Sequence, residues 1–279
     1  MSLRIRDIVV GEKDVTMLDL VNIIAHALSI RKEEVFAGYE GGVCREEASR
    51  IERLLKSRRE GTPLAYILKE KEFFSEAFFV DERVLIPRPE TETLVEEALK
   101  IIRARKDPLL LLDMGTGPGT IGLTIAKKTR HNVMCVDISP DALCVAKKNT
   151  LLLDVSDSTS LICSDLFGAI QKSVKFDLVF ANLPYIPSEE WNTLMRDVRD
   201  FEPEIALNGG EGGVEIYRRF IDDLPHYLKR SGHVLCEIGS ATQAANIQEA
   251  LGYSGFEVEI KLDLSGKERV IIGSWINLS

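Results

Sequence analysis

The sequence predicts a mixed α/β protein in which a small N-terminal helical bundle and a β-hairpin linker precede a mostly parallel seven-stranded sheet. Three observations lead to this prediction. The first 65 or so residues carry apolar side chains at helical spacing, whereas the residues that follow are rich in β-prone side chains. From about residue 109 onward, runs of Val, Ile and Leu alternate with segments of helical character. A chain of 279 residues is long enough for two domains.

Residues 1–68 are predicted to form the helical domain. Thr16 followed by Asp19 resembles a helix-capping arrangement, and apolar side chains then recur every three or four positions. A second helix is predicted from Arg45 to Glu60, and Gly61 ends it. Because this region contains no cluster of residues suited to chemistry, we expect it to recognise the substrate.

Residues 69–90 are predicted to form a β-hairpin linker. Two β-prone runs, Phe73–Val80 and Val84–Ile86, lie there on either side of charged turn residues. Prolines end the second run, and a helix is predicted from Thr91 to Arg105 directly after them.

Residues 91–279 are predicted to form the sheet domain. Apolar strands separated by helices are typical of a parallel sheet that is covered on both faces. A short connection joins the last two strands, so we expect them to pair antiparallel at the sheet edge. The predicted strands are Leu109–Asp113, Val133–Asp137, Ser160–Cys163, Leu178–Ala181, His233–Ile238, Glu257–Lys261 and Val270–Ser274. The predicted helices between them lie near residues 119–129, 140–150, 213–229 and 241–251.

Composition and charge restrict the classes of function. The net charge is −9, and residues 1–75 contain 13 basic and 13 acidic side chains, so the whole excess lies after them. An acidic body disfavours tight binding to a nucleic acid backbone, which needs clustered Lys and Arg. No apolar run approaches the roughly 20 residues of a membrane span, and residues 1–14 lack the apolar stretch of a signal peptide. We therefore expect a cytoplasmic protein without a membrane partner. The five cysteines show no metal-ligand spacing, so no metal site is expected.

A glycine-rich loop follows the first strand of the predicted sheet. Asp113 ends the strand, and the loop then reads Gly115, Thr116, Gly117, Pro118 and Gly119. Glycines let the backbone approach a ligand closely, and ligands of open α/β sheets bind at the carboxyl ends of the strands. Thr120 stands where a dinucleotide motif has its third glycine. The acid before G-x-G-x-G instead suits S-adenosylmethionine, whose amino group Asp113 would hold.

Two further acids follow the next two strands. Asp137 ends the second strand, where a carboxylate accepts hydrogen bonds from ribose hydroxyls in dinucleotide and S-adenosylmethionine sites alike. Asp165 follows the third strand and could accept from an adenine amino group, with Leu166 against the ring. A residue that only caps the next helix is an alternative interpretation of each aspartate.

The second motif, Asn182-Leu183-Pro184-Tyr185, ends the fourth strand. The Asn182 side-chain oxygen and the Leu183 carbonyl are acceptors that suit a planar –NH2 group. Tyr185 can stack on that group or wall it. A bare tetrapeptide of this kind could be a tight turn, but its place at the ligand edge of the sheet favours a binding role.

Together, the two motifs resemble amino-methyltransferases that use S-adenosylmethionine and carry an N-P-P-Y-type signature. Further stretches narrow the resemblance to the HemK/PrmC family, the peptide chain release factor glutamine methyltransferases. These stretches are Gly61–Ile67, Glu72–Phe73, Leu85–Glu92, Asp197–Arg199, Phe201–Pro203, Ala206–Leu207 and Gly209–Gly213. The resemblance covers the chain from about residue 61 onward and implies a Rossmann-like methyltransferase sheet.

The resemblance implies methylation of the side-chain amide nitrogen of the glutamine in the Gly-Gly-Gln motif of class I peptide chain release factors. It assigns Asp113, the loop Gly115–Gly119, Asp137, Asp165, Leu166 and Asn182 to the cofactor. It assigns Asn182, Leu183, Pro184 and Tyr185 to the substrate amide as catalytic residues.

Leu183 departs from the family pattern, which usually has proline at this position. Leucine loosens the backbone and adds an N–H group. We expect a modest effect on preorganisation and no loss of activity, because any residue supplies the carbonyl.

Three other functions fit parts of the pattern. A methyltransferase for adenine amino groups of DNA or RNA would use the same slot, but it must extrude its base and hold the backbone with cations. Methylation of a ribosomal-protein glutamine is a second alternative. A catalytically silent nucleotide-binding or scaffold protein is a third, which the intact Asp113, Asp137 and Asn182 disfavour.

Overall fold

The structure is a computed structural model that describes residues 3–38 and 40–275. The outermost residues of the predicted domain ranges, 1–2 and 276–279, lie outside these described residues. Within the described part of the chain, no helix is long and apolar enough to cross a membrane.

The first of two units consists of the N-terminal residues up to Glu70 and the later segment Met195–Phe201. Short helices surround a small apolar core in this unit. Its N-terminal elements are β1 (Leu3–Arg4), α1 (Ile5–Gly11), α2 (Met17–Leu28), α3 (Lys32–Ala37), β2 (Gly42–Val43), α4 (Arg45–Arg59) and α5 (Leu64–Leu68).

Local sequence explains how α2 and α4 form and pack. The Thr16 hydroxyl accepts a hydrogen bond from the Asp19 backbone N–H at 3.2 Å, and this cap begins α2. The two helices bury apolar side chains such as Ile24 and Leu55 in the core of the unit. Arg58 of α4 donates to the Asp19 carboxylate at 2.7 Å, so a residue of the first turn of α2 ties the two helices together.

The second unit contains a β-hairpin and a sheet with helices on both faces. In chain order the remaining elements are β3 (Lys71–Phe73), β4 (Glu76–Phe78), α6 (Glu92–Arg103), β5 (Leu110–Met114), α7 (Thr120–Thr129), β6 (Asn132–Asp137), α8 (Pro140–Leu152), β7 (Thr159–Cys163), β8 (Phe176–Ala181), α9 (Arg196–Phe201, part of the first unit), α10 (Glu215–Asp223), β9 (Leu228–Glu237), α11 (Ala241–Tyr253), β10 (Phe256–Leu262) and β11 (Glu268–Trp275).

The sheet has the order β10-β11-β9-β8-β5-β6-β7. The strands from β9 to β7 pair parallel, and β11 pairs antiparallel with both β9 and β10. The predicted seven-stranded, mostly parallel sheet with an antiparallel edge is therefore confirmed. The chain order reverses between β5 and β8, so a crevice opens at their carboxyl ends, where ligands of such sheets bind.

Helices cover both faces of the sheet, and alternate residues of the central strands face opposite layers. Leu111 belongs to the core shared with α6 and α7, whereas Leu112 belongs to the core shared with α10 and α11. Every residue of β8 is buried. Burial on both faces explains why the parallel strands read as continuous apolar runs.

The hairpin is shorter than the sequence predicts. A two-residue turn joins its strands, since Phe74 and Ser75 adopt positive φ values of 52° and 62°. The second strand, β4, ends at Phe78. The second predicted run, Val84–Ile86, forms no strand. The Ile86 backbone N–H donates instead to the buried Glu202 carboxylate at 3.1 Å.

The helix predicted near residues 213–229 is also shorter, since α10 ends at Asp223. Pro225 follows within a short 3₁₀ turn and lacks the N–H that an α-helix needs. Leu228 already pairs with Phe176 in the sheet. The predicted helix therefore included the first residues of β9.

Asn149 of α8 connects the hairpin segment to the glycine-rich loop. Its side chain is fully buried; Oδ1 accepts from the Phe79 N–H at 2.8 Å. Nδ2 donates to the Phe79 carbonyl at 3.0 Å and to the Pro118 carbonyl at 2.8 Å. One buried amide thus satisfies three backbone groups.

We expect Asn149→Ala to lower the free energy of unfolding by about 2–4 kcal/mol, because it leaves buried backbone groups without partners. Urea denaturation of the full chain measures the change. Gln248→Ala, at an exposed position of α11, is the control and should stay within about 0.5 kcal/mol. Equal effects of the two substitutions would contradict the role given to Asn149.

Candidate active site

A cavity of about 180 Å³ lies at the carboxyl ends of β5, β6 and β8. Most of the site residues predicted from the sequence line it, and Arg88, Ile138, Ile205 and Arg219 add to the wall. The predicted residues in the wall are Gly115, Thr116, Gly117, Pro118, Asp137, Asp165, Leu166, Asn182, Leu183 and Pro184. Asp113, Gly119 and Tyr185 do not line the cavity.

The glycine-rich loop is held against the end of β6. The backbone N–H groups of Gly115 and Thr116 both donate to the Val136 carbonyl, at 2.8 and 2.9 Å. Gly115 has a φ of 73°, and a Cβ atom there would come within 2.9 Å of Leu183 Cδ2. The positive φ therefore favours glycine where the loop touches the second motif.

Asp113 fastens the loop from behind. It is 1% exposed, and its Oδ2 accepts from the Thr116 hydroxyl at 2.6 Å and from the Gly122 N–H at 2.9 Å. Oδ1 is buried without a partner among the described residues. Burial raises the pKa of Asp113 to about 6, against the opposing effect of these two hydrogen bonds. A direct contact of Asp113 with a ligand amino group stays a prediction.

Asp137 is half-buried in the cavity wall and keeps acceptor capacity there. Its Oδ2 accepts from the Gly117 N–H at 2.8 Å, and its Oδ1 accepts from the Ser139 N–H at 2.9 Å. Burial raises the pKa of Asp137, and the backbone donors oppose that rise. Each carboxylate oxygen can accept a second hydrogen bond, so the side chain can bind a diol.

Asp165 and Arg219 form an ion pair at the rim of the cavity. Arg219 Nη2 lies 2.7 Å from Asp165 Oδ2, and both side chains are more than half exposed. Leu166, next in the chain, is buried with a φ of 46° and lines the cavity. The structure thus brings Asp165 and Leu166 to one wall of the cavity. It adds the positively charged side chain of Arg219, which the sequence did not indicate.

Asn182 has a defined orientation in the structure. Its Nδ2 donates to Glu237 Oε2 at 3.1 Å and approaches the Thr91 hydroxyl at 3.5 Å. Oδ1 has no hydrogen-bond partner among the described residues. Because Asn182 lines the cavity, its amide offers an acceptor to a bound group.

Leu183 is held by its backbone N–H. This group donates to Tyr217 Oη at 3.3 Å, and the Tyr217 hydroxyl donates to the Glu237 carbonyl at 2.6 Å. Tyr217 is fully buried, which raises its pKa well above the usual value. The additional N–H of leucine at this position is therefore satisfied inside the protein.

Pro184 and Tyr185 pass between two glycine-containing segments. A Cβ atom on Gly239 would lie 2.4 Å from the Tyr185 ring, and one on Gly213 would lie 2.2 Å from the Tyr185 carbonyl oxygen. Burial raises the pKa of the Tyr185 hydroxyl to about 12. Tyr185 packs against Gly239, and its contact with a planar substrate group stays a prediction.

Glu237 is the main site residue that the sequence interpretation missed. It is 1% exposed at the end of β9, and burial raises its pKa to about 7. A signal was present, because Glu237 is an acid at the carboxyl end of a buried strand, as are Asp113 and Asp137. No comparable signal marked Tyr217, which resembles any core aromatic residue of an amphipathic helix.

Another buried carboxylate, that of Glu202, positions the segment before α6. Glu202 accepts from Arg88 Nη2 at 2.5 Å and from the Ile86 N–H at 3.1 Å. The Glu202 side chain is 2% exposed, whereas that of Arg88 is 34% exposed and lines the cavity. Arg88 therefore brings an anchored positive charge to the wall.

Comparisons with known proteins agree with this geometry. Residues 14–68 match the family described as the PrmC N-terminal domain, and residues 111–201 match a methyltransferase domain. The chain is 36% identical over 259 residues to a release factor glutamine methyltransferase of Rhodopirellula baltica, covering 91% of this chain and 88% of the relative. It is 40% identical over 222 residues to that of Clostridium acetobutylicum, covering 78% and 77%.

A solved structure shows the same fold. A methyltransferase from Pyrococcus furiosus superimposes with a TM-score of 0.54 at 17% identity, covering 82% of this chain and 100% of that chain. At this identity the likeness concerns the fold alone. The predicted methyltransferase sheet is confirmed.

The hydrogen bond between Leu183 and Tyr217 leads to a prediction on stability. Tyr217→Phe removes the hydroxyl and should lower the free energy of unfolding by about 1–2 kcal/mol, since the Leu183 N–H and the Glu237 carbonyl lose a partner. In a Leu183→Pro background the N–H is absent, so the same substitution should cost less. Chemical denaturation of the four proteins gives the coupling energy. Strictly additive effects would contradict the contact.

Proposed function

The chain belongs to the family of release factor glutamine methyltransferases, and we propose that it methylates the side-chain amide nitrogen of glutamine in the Gly-Gly-Gln motif of class I release factors. The methyl donor is S-adenosylmethionine. One observation carries the assignment to an amide substrate: Asn182 is held by its nitrogen at the cavity, which leaves its oxygen to accept from an –NH2 group. We place the reaction in the cytoplasm, where release factors work.

The cavity suits the methyl donor. Asp137 has free acceptor capacity for the ribose hydroxyls, and Ile138 and Leu166 offer apolar walls for an adenine ring. Arg88 offers a cation for a carboxylate. We propose that Asp165 accepts from the adenine amino group, and that Asp113 acts by holding the loop Gly115–Gly119.

The substrate amide is a poor nucleophile, because its nitrogen lone pair is delocalised into the carbonyl group. When bound, the sulfonium of S-adenosylmethionine supplies an already activated methyl group. We propose that Asn182 Oδ1 and the Leu183 carbonyl accept the two N–H hydrogens and favour a pyramidal nitrogen. Alignment of this kind contributes up to roughly 7–11 kcal/mol of barrier reduction when reactants are well oriented. Pro184 restricts the backbone of this segment, and the Tyr185 ring packs against one side of the substrate amide.

A protein substrate is favoured over a nucleic acid. An enzyme that methylates adenine in DNA or RNA needs clustered cations for the phosphate backbone, whereas the net charge of −9 lies wholly after residue 75. The relatives named above are release factor glutamine methyltransferases. Incubation with labelled S-adenosylmethionine and purified release factor, beside DNA and ribosomes, separates these substrates directly; label found only in DNA or ribosomes would refute the proposal.

The first unit is proposed to dock the release factor. It matches the PrmC N-terminal domain and lies outside the residues that line the cavity. Met17 and Leu18 begin α2 with 55% and 70% of their surfaces exposed. Adjacent exposed apolar side chains suit contact with a protein surface.

We expect Asn182→Ala to reduce kcat for release factor methylation at least 100-fold, because the amide loses an acceptor in the transition state. The affinity for S-adenosylmethionine should remain within about threefold, since Asp137 and the loop are unchanged. A methyl-transfer assay and calorimetric titration measure the two quantities. Asn192→Ala, at an exposed position, is the control. Near-normal turnover of Asn182→Ala would exclude the assigned role.

We expect Leu18→Asp to raise KM for intact release factor at least fivefold and to leave KM for a short Gly-Gly-Gln peptide unchanged. The charge weakens docking of the protein but not of a peptide that reaches only the cavity. Leu264→Asp, at a fully exposed leucine of the second unit, is the matched control. An equal change for both substrates, or for both variants, would argue against docking by the first unit.

A further inference from the structure

We propose that Glu237 is a positioning residue that holds the Asn182 side chain in the orientation that presents its oxygen, and not its nitrogen, to the substrate amide. The inference deepens the proposed function and rests on it. Glu237 itself lies outside the cavity wall, so it acts only through Asn182.

The contacts of Glu237 define this role. Its Oε2 accepts from Asn182 Nδ2 at 3.1 Å, and the Thr91 side chain favours the ionised form of the carboxylate and so lowers its pKa. Thr91 is 4% exposed and lies 3.5 Å from the same Asn182 nitrogen. The nitrogen end of the Asn182 amide thus faces two acceptors, both on buried side chains.

The need for such a device follows from the shape of an amide. The two ends of the asparagine amide are nearly equal in size, but one accepts and the other donates. A half-turn of the Asn182 side chain would set its own –NH2 group against the –NH2 group of the substrate. Glu237 and Thr91 both accept from the Asn182 nitrogen. A hydroxyl could also donate to the rotated amide, whereas an ionised carboxylate can accept but cannot donate, so Glu237 is the group that makes the rotation unfavourable.

The same residue also supports the second proposed acceptor. The Glu237 carbonyl accepts from the Tyr217 hydroxyl at 2.6 Å, and Tyr217 accepts from the Leu183 N–H at 3.3 Å. The side chain of Glu237 therefore orients Asn182, while its backbone orients the peptide of Leu183. Glu237 of the neighbouring strand β9 therefore helps to orient both proposed acceptors, the Asn182 oxygen and the Leu183 carbonyl.

Protonation of Glu237 should weaken the preference for the Asn182 orientation that presents its oxygen to the substrate. Burial raises the pKa of Glu237 to about 7, Arg269 and Arg88 favour its ionised form, and Glu90 opposes it. The phenols of Tyr185 and Tyr217 also face it, and both stay neutral near pH 7. A protonated acid can donate to Asn182 Oδ1 and so tolerates the rotated amide. Turnover should therefore rise with pH as Glu237 ionises.

Glu237→Gln tests the proposal, because glutamine keeps the shape but can donate as well as accept. We expect kcat for release factor methylation to fall at least tenfold and the rise of kcat around pH 7 to disappear. The affinity for S-adenosylmethionine and KM for release factor should stay within threefold. The thermal midpoint at pH 8 should not fall, since the variant no longer buries a charge.

The matched control is Asp177→Asn, which neutralises a buried carboxylate at the opposite end of β8. It should retain kcat within twofold and keep the pH profile of the parent. Retention of kcat within twofold by Glu237→Gln, or a parallel loss of affinity for S-adenosylmethionine, would overturn the proposal. An inactive parent chain in the same series would instead refute the proposed function.

Discussion

The pairing of β8 between β5 and β9 is the constraint on which the site depends. It brings Asp113, Asn182 and Glu237, which are far apart in the chain, to adjacent strand ends at the point where the chain order reverses. The connections between them are short and direct, because Leu183 touches the loop at Gly115 and the Tyr217 hydroxyl joins the ends of β8 and β9. A change of register in β8 would therefore separate the loop, the amide and the carboxylate at the same time.

Burial of carboxylates at this edge has a cost in stability. Asp113 and Glu237 have pKa values raised to about 6 and about 7, and burial raises the pKa of Asp137 as well. An acid with a raised pKa in the folded state binds its proton more tightly there than in the unfolded chain. Its contribution is most favourable at low pH and is lost as pH rises from the unfolded pKa through the folded one. The ionised form of Glu237, which its proposed role requires, is therefore the form that stabilises the folded state least. Such a conflict is common at functional positions.

The sequence predicted the loop and the Asn182 motif because both follow buried strands and have side chains with unusual conformational or hydrogen-bonding properties. It also predicted the antiparallel pairing of the last two strands at the sheet edge, from the short connection alone. The second run of the hairpin, Val84–Ile86, was wrongly predicted as a strand because its side chains are apolar. These residues are apolar because the segment is buried, and its backbone hydrogen-bonds to Glu202, more than one hundred positions later in the chain. The helix after Gly213 was extended too far because the apolar positions of α10 continue into β9, and only Pro225 marked the boundary. Tyr217 could not be recognised, because its hydroxyl acts through partners that only the folded chain supplies.

Rigidity at the second motif does not depend on two consecutive prolines. A proline at position 183 would restrict φ and remove a donor, whereas Leu183 retains a donor that Tyr217 accepts. The hydrogen bond to Tyr217 restricts the orientation of the peptide group before Leu183. Through the Tyr217 hydroxyl it also links this peptide group to the carbonyl of Glu237. A covalent restraint acts in the unfolded chain as well, so it costs less entropy on folding. The restraint by a hydrogen bond exists only in the folded state. It nevertheless connects Leu183, whose carbonyl is proposed to accept from the substrate amide, to β9, the strand whose Glu237 orients Asn182. Leucine at this position is therefore compatible with a preorganised site, provided that the phenol of Tyr217 and the backbone of β9 stay in place.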